Sequence, residues 1–272
     1  MIISVHEAAG PGSELSPDHL TPIERERKIL DLLEDRGKAA LPALVAALRV
    51  SDATVRRDLR RLAARHAIER VRGGAISANG AELEPPVLKR TNLHAEEKHS
   101  IGEAAAALIA DGETVTLLGG STTLQVALHL GRKKNLTVIT DSLLIAQCLI
   151  RQANIDIIVL GGGVHAPELK MEGSLVQQCL KELRANKVIF GARAVNFEQG
   201  LMLDRMSEVL VFRDCMRAAA ETILVADHTK FGRVATAVLG PLTGISRVVT
   251  DRGVSQEIPV RLRGLGIEVI LA

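Results

Sequence analysis

Two rhythms of apolar and polar positions divide the chain. In the first, apolar residues recur at helical spacing. Thr21-Pro22-Ile23-Glu24 has the form of a capping box with Pro at the first helical position, and Ile29, Leu30, Leu32 and Leu33 follow before Gly37 closes the helix. A second helix is predicted from about Pro42 to Leu48, burying Leu44, Val45 and Leu48. After a short turn at Arg49-Val50, Ser51 is a good N-cap for a third helix from Asp52 to about His66. Ile68 to Ile76 then reads as a small β-wing turning on Gly73-Gly74.

The second rhythm is different. Near-continuous apolar runs at about 114–118, 136–140, 155–160, 187–191, 222–226, 247–250 and 267–271 alternate with helical stretches. Strands separated by helices imply βαβ units and a parallel sheet covered on both faces. The fold class is therefore α/β, with a small N-terminal winged helix-turn-helix and a larger, mostly parallel C-terminal domain. The expected divisions are a mobile tail over 1–19, the winged helix-turn-helix over 20–77, a linker over 78–93 stiffened by Pro85-Pro86, and the α/β domain over 94–272.

The third helix has two faces. Val55, Leu59 and Leu62 fall within an arc of roughly 60° at about 100° per residue, and Ala53, Thr54, Arg57, Arg60 and Arg61 lie opposite, with Arg56 on the shoulder. A capped basic helix after a tight turn enters the major groove with its N-terminal residues against base edges. The DNA-contacting set is then Ser51, Ala53, Thr54, Arg56, Arg57, Arg60 and Arg61, with Arg70 and Arg72 of the wing. Ala53, Thr54 and Arg57 are expected at base edges, and Arg56, Arg60 and Arg72 at phosphates. A merely solvated helix face would also carry arginines, but it would not require the cap, the turn and the basic wing together.

Charge supports the division. Residues 20–75 hold 13 Lys/Arg against 8 Asp/Glu, whereas the rest holds 21 against 24, so a basic module is joined to a mildly acidic body. With no Trp, no Tyr and only four Phe, the chain lacks the aromatic platforms on which single-strand and many RNA readers stack bases, which leaves duplex DNA. Cys148, Cys179 and Cys215 stand far apart without metal-ligand spacing, which suits buried reduced thiols. No metal or cofactor is expected. No apolar run reaches the roughly 18 residues of a membrane span, and the first residues lack the pattern of a secretory leader, so a cytoplasmic protein with no membrane partner is expected.

In open α/β sheets ligands bind beyond the carboxyl ends of the strands. The first strand ends in Gly119-Gly120-Ser121-Thr122-Thr123 and runs into a helix, so backbone N–H groups, hydroxyls and a helix N-terminus converge as an anionic phosphate requires. The second ends in Thr140-Asp141-Ser142, the third in Gly161-Gly162-Gly163, and the fifth in Asp227-His228-Thr229-Lys230. Each loop alone is a common turn. Together they make a polyhydroxylated phosphate ester the best ligand, held by Gly120, Ser121, Thr122, Thr123, Asp141, Ser142, Gly162, Gly163, Asp227 and Lys230, with Glu208 near the same loops. The first loop is neither a Walker A motif nor GxGxxG, which moves nucleoside triphosphates and dinucleotides down the order.

Glu26-Arg27, Ser51-Asp52-Ala53-Thr54-Val55-Arg56-Arg57-Asp58-Leu59 and Arg72-Gly73-Gly74-Ala75 resemble the DeoR family of bacterial transcriptional regulators. The resemblance continues through Gly120-Ser121-Thr122-Thr123, Leu160-Gly161-Gly162, Ala226-Asp227, Lys230-Phe231-Gly232 and Thr250-Asp251, and covers about 22–272. It implies a C-terminal sensor similar in fold to ribose-5-phosphate isomerase and the CoA-transferase superfamily. It also implies a repressor of sugar-catabolism genes relieved by a phosphorylated intermediate, without catalysis. By that analogy Ser121-Thr122-Thr123 would hold phosphate, and Asp227 and Lys230 the sugar. Where the family usually places Asp and Ser before the threonine loop, this chain has Leu118 and Gly119. Two other readings stay open: a phosphosugar isomerase with a DNA-binding appendage, and a regulator whose C-terminal domain is only an oligomerisation platform. Half-site reading by a short helix favours a homodimer or homotetramer.

Overall fold

A computed structural model of the chain describes residues 20–36, 38–64, 68–71, 73–77 and 84–272. The N-terminal tail, Gly37, Arg72, His66 and the first part of the expected linker lie outside the described residues. The chain divides into two compact units, Met1–Glu82 and Leu83–Ala272.

The first unit runs α1 (Pro22–Arg36), β1 (Lys38–Ala40), α2 (Leu41–Leu48), α3 (Asp52–Ala64), β2 (Ile68–Val71) and β3 (Gly74–Ser77). The capping box forms as the side chains dictate: the Thr21 N–H donates to Glu24 at 2.8 Å and the Glu24 N–H donates back to Thr21 Oγ1 at 3.3 Å. Ser51 caps α3 by accepting from the Thr54 N–H at 3.3 Å. Ile29, Leu33, Leu44, Leu48, Val55, Leu59 and Leu62 close one core. The wing has a third strand beyond the expected hairpin, because β1 pairs antiparallel with β3 on the side away from β2. Gly73 adopts φ +89° at the turn, and a Cβ on Gly74 would stand 2.1 Å from the Ala39 carbonyl oxygen. Both glycines are thus required, the first by conformation and the second by approach.

The second unit opens with α4 (Val87–Arg90) and α5 (Ala95–Ala107), followed by β4 (Thr114–Leu117), α6 (Ser121–Leu128), β5 (Leu136–Thr140), α7 (Leu143–Leu149) and β6 (Ile155–Val159). A hairpin of β7 (Gly163–His165) and β8 (Lys170–Glu172) leads to α8 (Ser174–Lys181) and β9 (Ala185–Phe190). Next come β10 (Ala194–Asn196), β11 (Gly200–Leu203), α9 (Met206–Ala218), β12 (Ala219–Val225) and β13 (Ala237–Gly240). The chain ends with β14 (Arg247–Thr250), α10 (Glu257–Gly264) and β15 (Glu268–Leu271).

Seven strands make one parallel sheet in the order β15-β14-β12-β9-β4-β5-β6. They correspond to the seven apolar runs. Alternate residues serve opposite faces: Val188, Phe190, Leu224 and Val248 join the core that includes α8, α9 and α10 residues, while Ile189, Ile223, Val225 and Val249 join the core under α5, α6 and α7. Burial on both sides is why the inner strands are near-continuously apolar, whereas the edge strands β6 and β15 leave Ile158, Val159 and Leu271 exposed. From β4 the chain winds outward through β5 to β6, then returns to β9 and winds the other way. The switch point therefore lies between β4 and β9. A small antiparallel sheet, β10-β11-β13, and the β7-β8 hairpin add to the unit. Cys215 is buried, Cys148 and Cys179 are half-buried, and all three are free. No helix among the described residues is long and apolar enough to cross a membrane.

Candidate functional site

In the first unit, α3 presents Ala53, Arg56, Arg57, Arg60 and Arg61 as exposed residues, and Thr54 as half-buried. These arginines differ in what holds them. Arg56 pairs with Asp52 one turn earlier. Arg61 is drawn toward α1, reaching Glu26 at 3.1 Å and pairing also with Asp58. Arg57 and Arg60 carry no ion pair among the described residues and project from the helix. The Thr54 hydroxyl shares a 2.9 Å hydrogen bond with Ser51. Arg70 is exposed on β2, and Arg72 lies outside the described residues. The missed member of this unit is Asp58, wholly buried and accepting from Arg25 Nε at 2.8 Å.

In the second unit a cavity of about 400 Å³ opens at the carboxyl ends of β4, β9 and β12, beside the switch point. Gly119, Gly120, Ser121, Thr122 and Thr123 form one wall, Gly191, Ala192 and Arg193 a second, and Val225, Ala226 and Lys230 a third. The N–H groups of the first turn of α6 have no partner within the helix by construction, so the loop presents donors and a positive dipole end. Thr123 Oγ1 donates to the Gly120 carbonyl at 3.0 Å, which fixes the turn.

The other expected effector residues separate by strand. Glu208, at the start of α9, lines the cavity and meets Lys170 Nζ at 2.6 Å. Asp141 is not among the lining residues: it is fully buried behind the loop and accepts from the Gly119 N–H at 2.6 Å. Ser142 caps α7 through the Ile145 N–H at 3.3 Å. Gly162 and Gly163 stand at the β6–β7 connection, away from the lining, and a Cβ on Gly162 would lie 2.5 Å from the Glu172 carbonyl oxygen. The close approach there is to the protein's own chain. Asp227 also leaves the lining, because its carboxylate accepts from the Thr229 N–H at 3.0 Å and caps the 3-10 turn His228–Lys230 that delivers Lys230. All five depart for reasons of topology or local capping: β5 and β6 lie beyond the switch point, and the Asp227 side chain is turned into its own loop.

The remaining wall was not expected. Glu84 and Arg90 arrive from the stretch read as linker, Glu168 and Lys170 from the β7-β8 hairpin, Asp204 and Arg205 from the end of β11, and Phe212 from α9. Arg193 was within reach of sequence reasoning, since it follows the fourth strand of the sheet as Lys230 follows the fifth. Charges are dense and matched. Arg90 Nη1 meets Glu84 at 2.8 Å and Arg90 also pairs with Glu168. Arg193 reaches Asp204 at 3.1 Å and Glu84 at 3.4 Å, and Lys230 pairs with Glu84. Burial tends to raise the Glu84 carboxyl, but Lys230, Arg90 and Arg193 outweigh it and hold it at about 2. Burial likewise opposes the Lys170 ammonium, and the Glu208 and Asp141 carboxylates more than offset this, so its shift is upward. Burial raises Asp141, Glu168 and Asp204 in spite of their cationic neighbours.

Residues 93–252 match the family described as the DeoR C terminal sensor domain, and residues 25–80 match the DeoR-like helix-turn-helix domain. Similar proteins include the transcriptional repressor AccR of Agrobacterium fabrum, 31% identical over 88% of this chain and 95% of that protein. The HTH-type transcriptional repressor GlcR of Bacillus subtilis is 32% identical, over 91% of this chain and 95% of its own length. The glycerol-3-phosphate regulon repressor of Haemophilus influenzae is 33% identical, over 83% and 88%. Among solved structures, ribose 5 phosphate isomerase A from Neisseria gonorrhoeae aligns with a TM-score of 0.37 at 18% identity, over 51% of this chain and 53% of that one.

Proposed function

This chain belongs to the DeoR family of DNA-binding transcriptional regulators, and on that premise we propose that it represses sugar-metabolism genes and is released from its operator by a small phosphorylated sugar. The carrying observation is the cavity at the switch point, where the first turn of α6 and Lys230 face one space of about 400 Å³, a volume of the kind that takes a small molecule. The N–H groups of Ser121, Thr122 and Thr123 and the hydroxyls of Ser121 and Thr122 suit phosphate, and Lys230 suits it as a point charge. The names of relatives agree, since they include repressors and the repressor of a glycerol-3-phosphate regulon.

Binding without turnover is the reading the charges support. The carboxylates of the wall are each held by a cation: Glu208 by Lys170, Asp204 by Arg193, Glu168 by Arg90, and Glu84 by three. A general base needs to be within reach of the proton it abstracts, and a carboxylate engaged by an ammonium or guanidinium is directed at that cation instead. The DNA-bound form is read as an even-numbered homo-oligomer, because α3 is long enough for one half-site only.

The test is a gel-shift titration of wild type and Lys230→Ala with a panel of sugar phosphates at fixed salt. The variant should keep operator affinity and lose release. If both proteins release at the same sugar-phosphate concentration, Lys230 is not a ligand contact. If no sugar phosphate releases the wild type, the inducer reading fails and the oligomerisation-platform reading replaces it.

A further inference from the structure

Glu84 is the second residue of the second unit, yet its carboxylate lies in the cavity wall with its side chain only 14% exposed. Arg90 Nη1 donates to Oε2 at 2.8 Å, Arg193 Nη1 donates to Oε1 at 3.4 Å, and Lys230 Nζ pairs with the same Oε1. Three cations converging on one carboxylate form a preformed anion site, and the occupant is part of the chain. Arg90 holds this segment twice, since its Nε also donates to the Pro85 carbonyl at 2.8 Å.

Formal charge sharpens the point. The cavity wall carries five Lys/Arg and four Asp/Glu, so with Glu84 in place the surplus is one positive charge. Withdrawing Glu84 leaves a surplus of two, which matches the charge of about −1.5 to −2 on a phosphate monoester near neutral pH. A phosphate at the first turn of α6 would reach for the same Lys230 that Glu84 now holds.

We propose that the Glu84 carboxylate is an internal competitor for the effector's phosphate, expelled when phosphate takes Lys230, Arg90 and Arg193, so that binding frees the segment that begins at Glu84 from the cavity wall. The inference rests on the phosphate-binding reading of the cavity. Because the three cations keep the Glu84 carboxyl at about 2 against the upward push of burial, the contest near neutral pH is anion against anion. Pro85 and Pro86 fix φ on the C-terminal side of Glu84.

The experiment titrates inorganic phosphate and glucose 6-phosphate calorimetrically into the full-length wild type and Glu84→Gln at fixed ionic strength. The substitution keeps the shape and removes the charge. Both probes should bind the variant more tightly, by about 5- to 150-fold, the usual range for coupled sites. A Glu84 that merely braced the wall predicts the opposite, since its removal would loosen the three cations. Equal or weaker binding by a folded variant overturns the competition and leaves the phosphate reading standing. Binding of neither probe to either protein overturns both. A measurement independent of the variant is amide hydrogen exchange of residues 84–93 in wild type: phosphate should accelerate it, and protection or no change overturns the inference even if Glu84→Gln does not fold.

Discussion

Asp58 is where α3 and α1 are joined by charge. It is wholly buried, accepts from Arg25 Nε at 2.8 Å, and also pairs with Arg61, whose side chain remains 46% exposed. Removing one partner of a buried charged pair leaves the other unsatisfied. Here Arg61 can turn to water, but Arg25, 13% exposed, cannot do so freely. Asp58→Ala is therefore expected to cost about 1 to 3 kcal/mol, read as a lowered urea midpoint for the first unit, with Asp58→Asn losing less. A midpoint unchanged in both variants would mean that the pair contributes nothing net. The same residue marks a limit of sequence reading. Val55, Leu59 and Leu62 were legible because burial repeats along one helix. Asp58 sits beside that stripe and reads as one more solvated charge, since its partner is 33 positions away. Glu84 is a stronger case, with 146 positions between it and Lys230.

The elements of the first unit divide the arginines of α3 into two kinds. Arg56 and Arg61 are engaged within the protein, whereas Arg57 and Arg60 project from the helix. Arg57, nearer the N-terminus of α3, is placed for a base edge, and Arg60 for phosphate. Arg57→Ala should cost about 1 to 3 kcal/mol of operator binding and relax specificity, while Arg60→Ala should weaken all sequences alike and lower the salt slope by about one. Titrating operator and random duplex at several salt concentrations checks both, and equal losses on the two duplexes would refute the division. Long elements were legible because composition and period repeat over several residues: three helices, the wing and seven strands. Strands of three residues, such as β1, β7, β8 and β10, are too short to show alternation and depend on their neighbours. Strand order is a further quantity that composition does not contain. Strand ends were identified without knowing that β4 and β9 are adjacent, so the ends of β5 and β6 were credited equally with those of β4 and β12. The sheet order then puts Gly120 to Thr123 and Lys230 at the cavity and leaves Ser142, Gly162 and Gly163 outside its lining.

At the scale of the whole molecule, a basic DNA-reading unit and an acidic body share one chain, and regulation requires that their ligands be coupled. A ligand moves an equilibrium only by the difference in its affinity for the two states, and the effect is reciprocal at equilibrium. If a sugar phosphate weakens operator binding by some factor, saturating operator must weaken sugar-phosphate binding by that same factor, expected at about 5- to 150-fold. The measurement is a calorimetric titration of the phosphate into the protein alone and into its operator complex at one salt concentration, set beside operator affinities with and without phosphate. Fixed salt matters, because phosphate added as a salt also screens the arginines of α3 and would imitate release. Chloride added to the same ionic strength separates the two effects: release that chloride reproduces is screening of the DNA interface, whereas release specific to the phosphate ester is coupling through the second unit. A phosphate ester that binds the cavity with one affinity in the presence and absence of operator has a coupling factor of one, and the cavity is then a ligand site without a regulatory role.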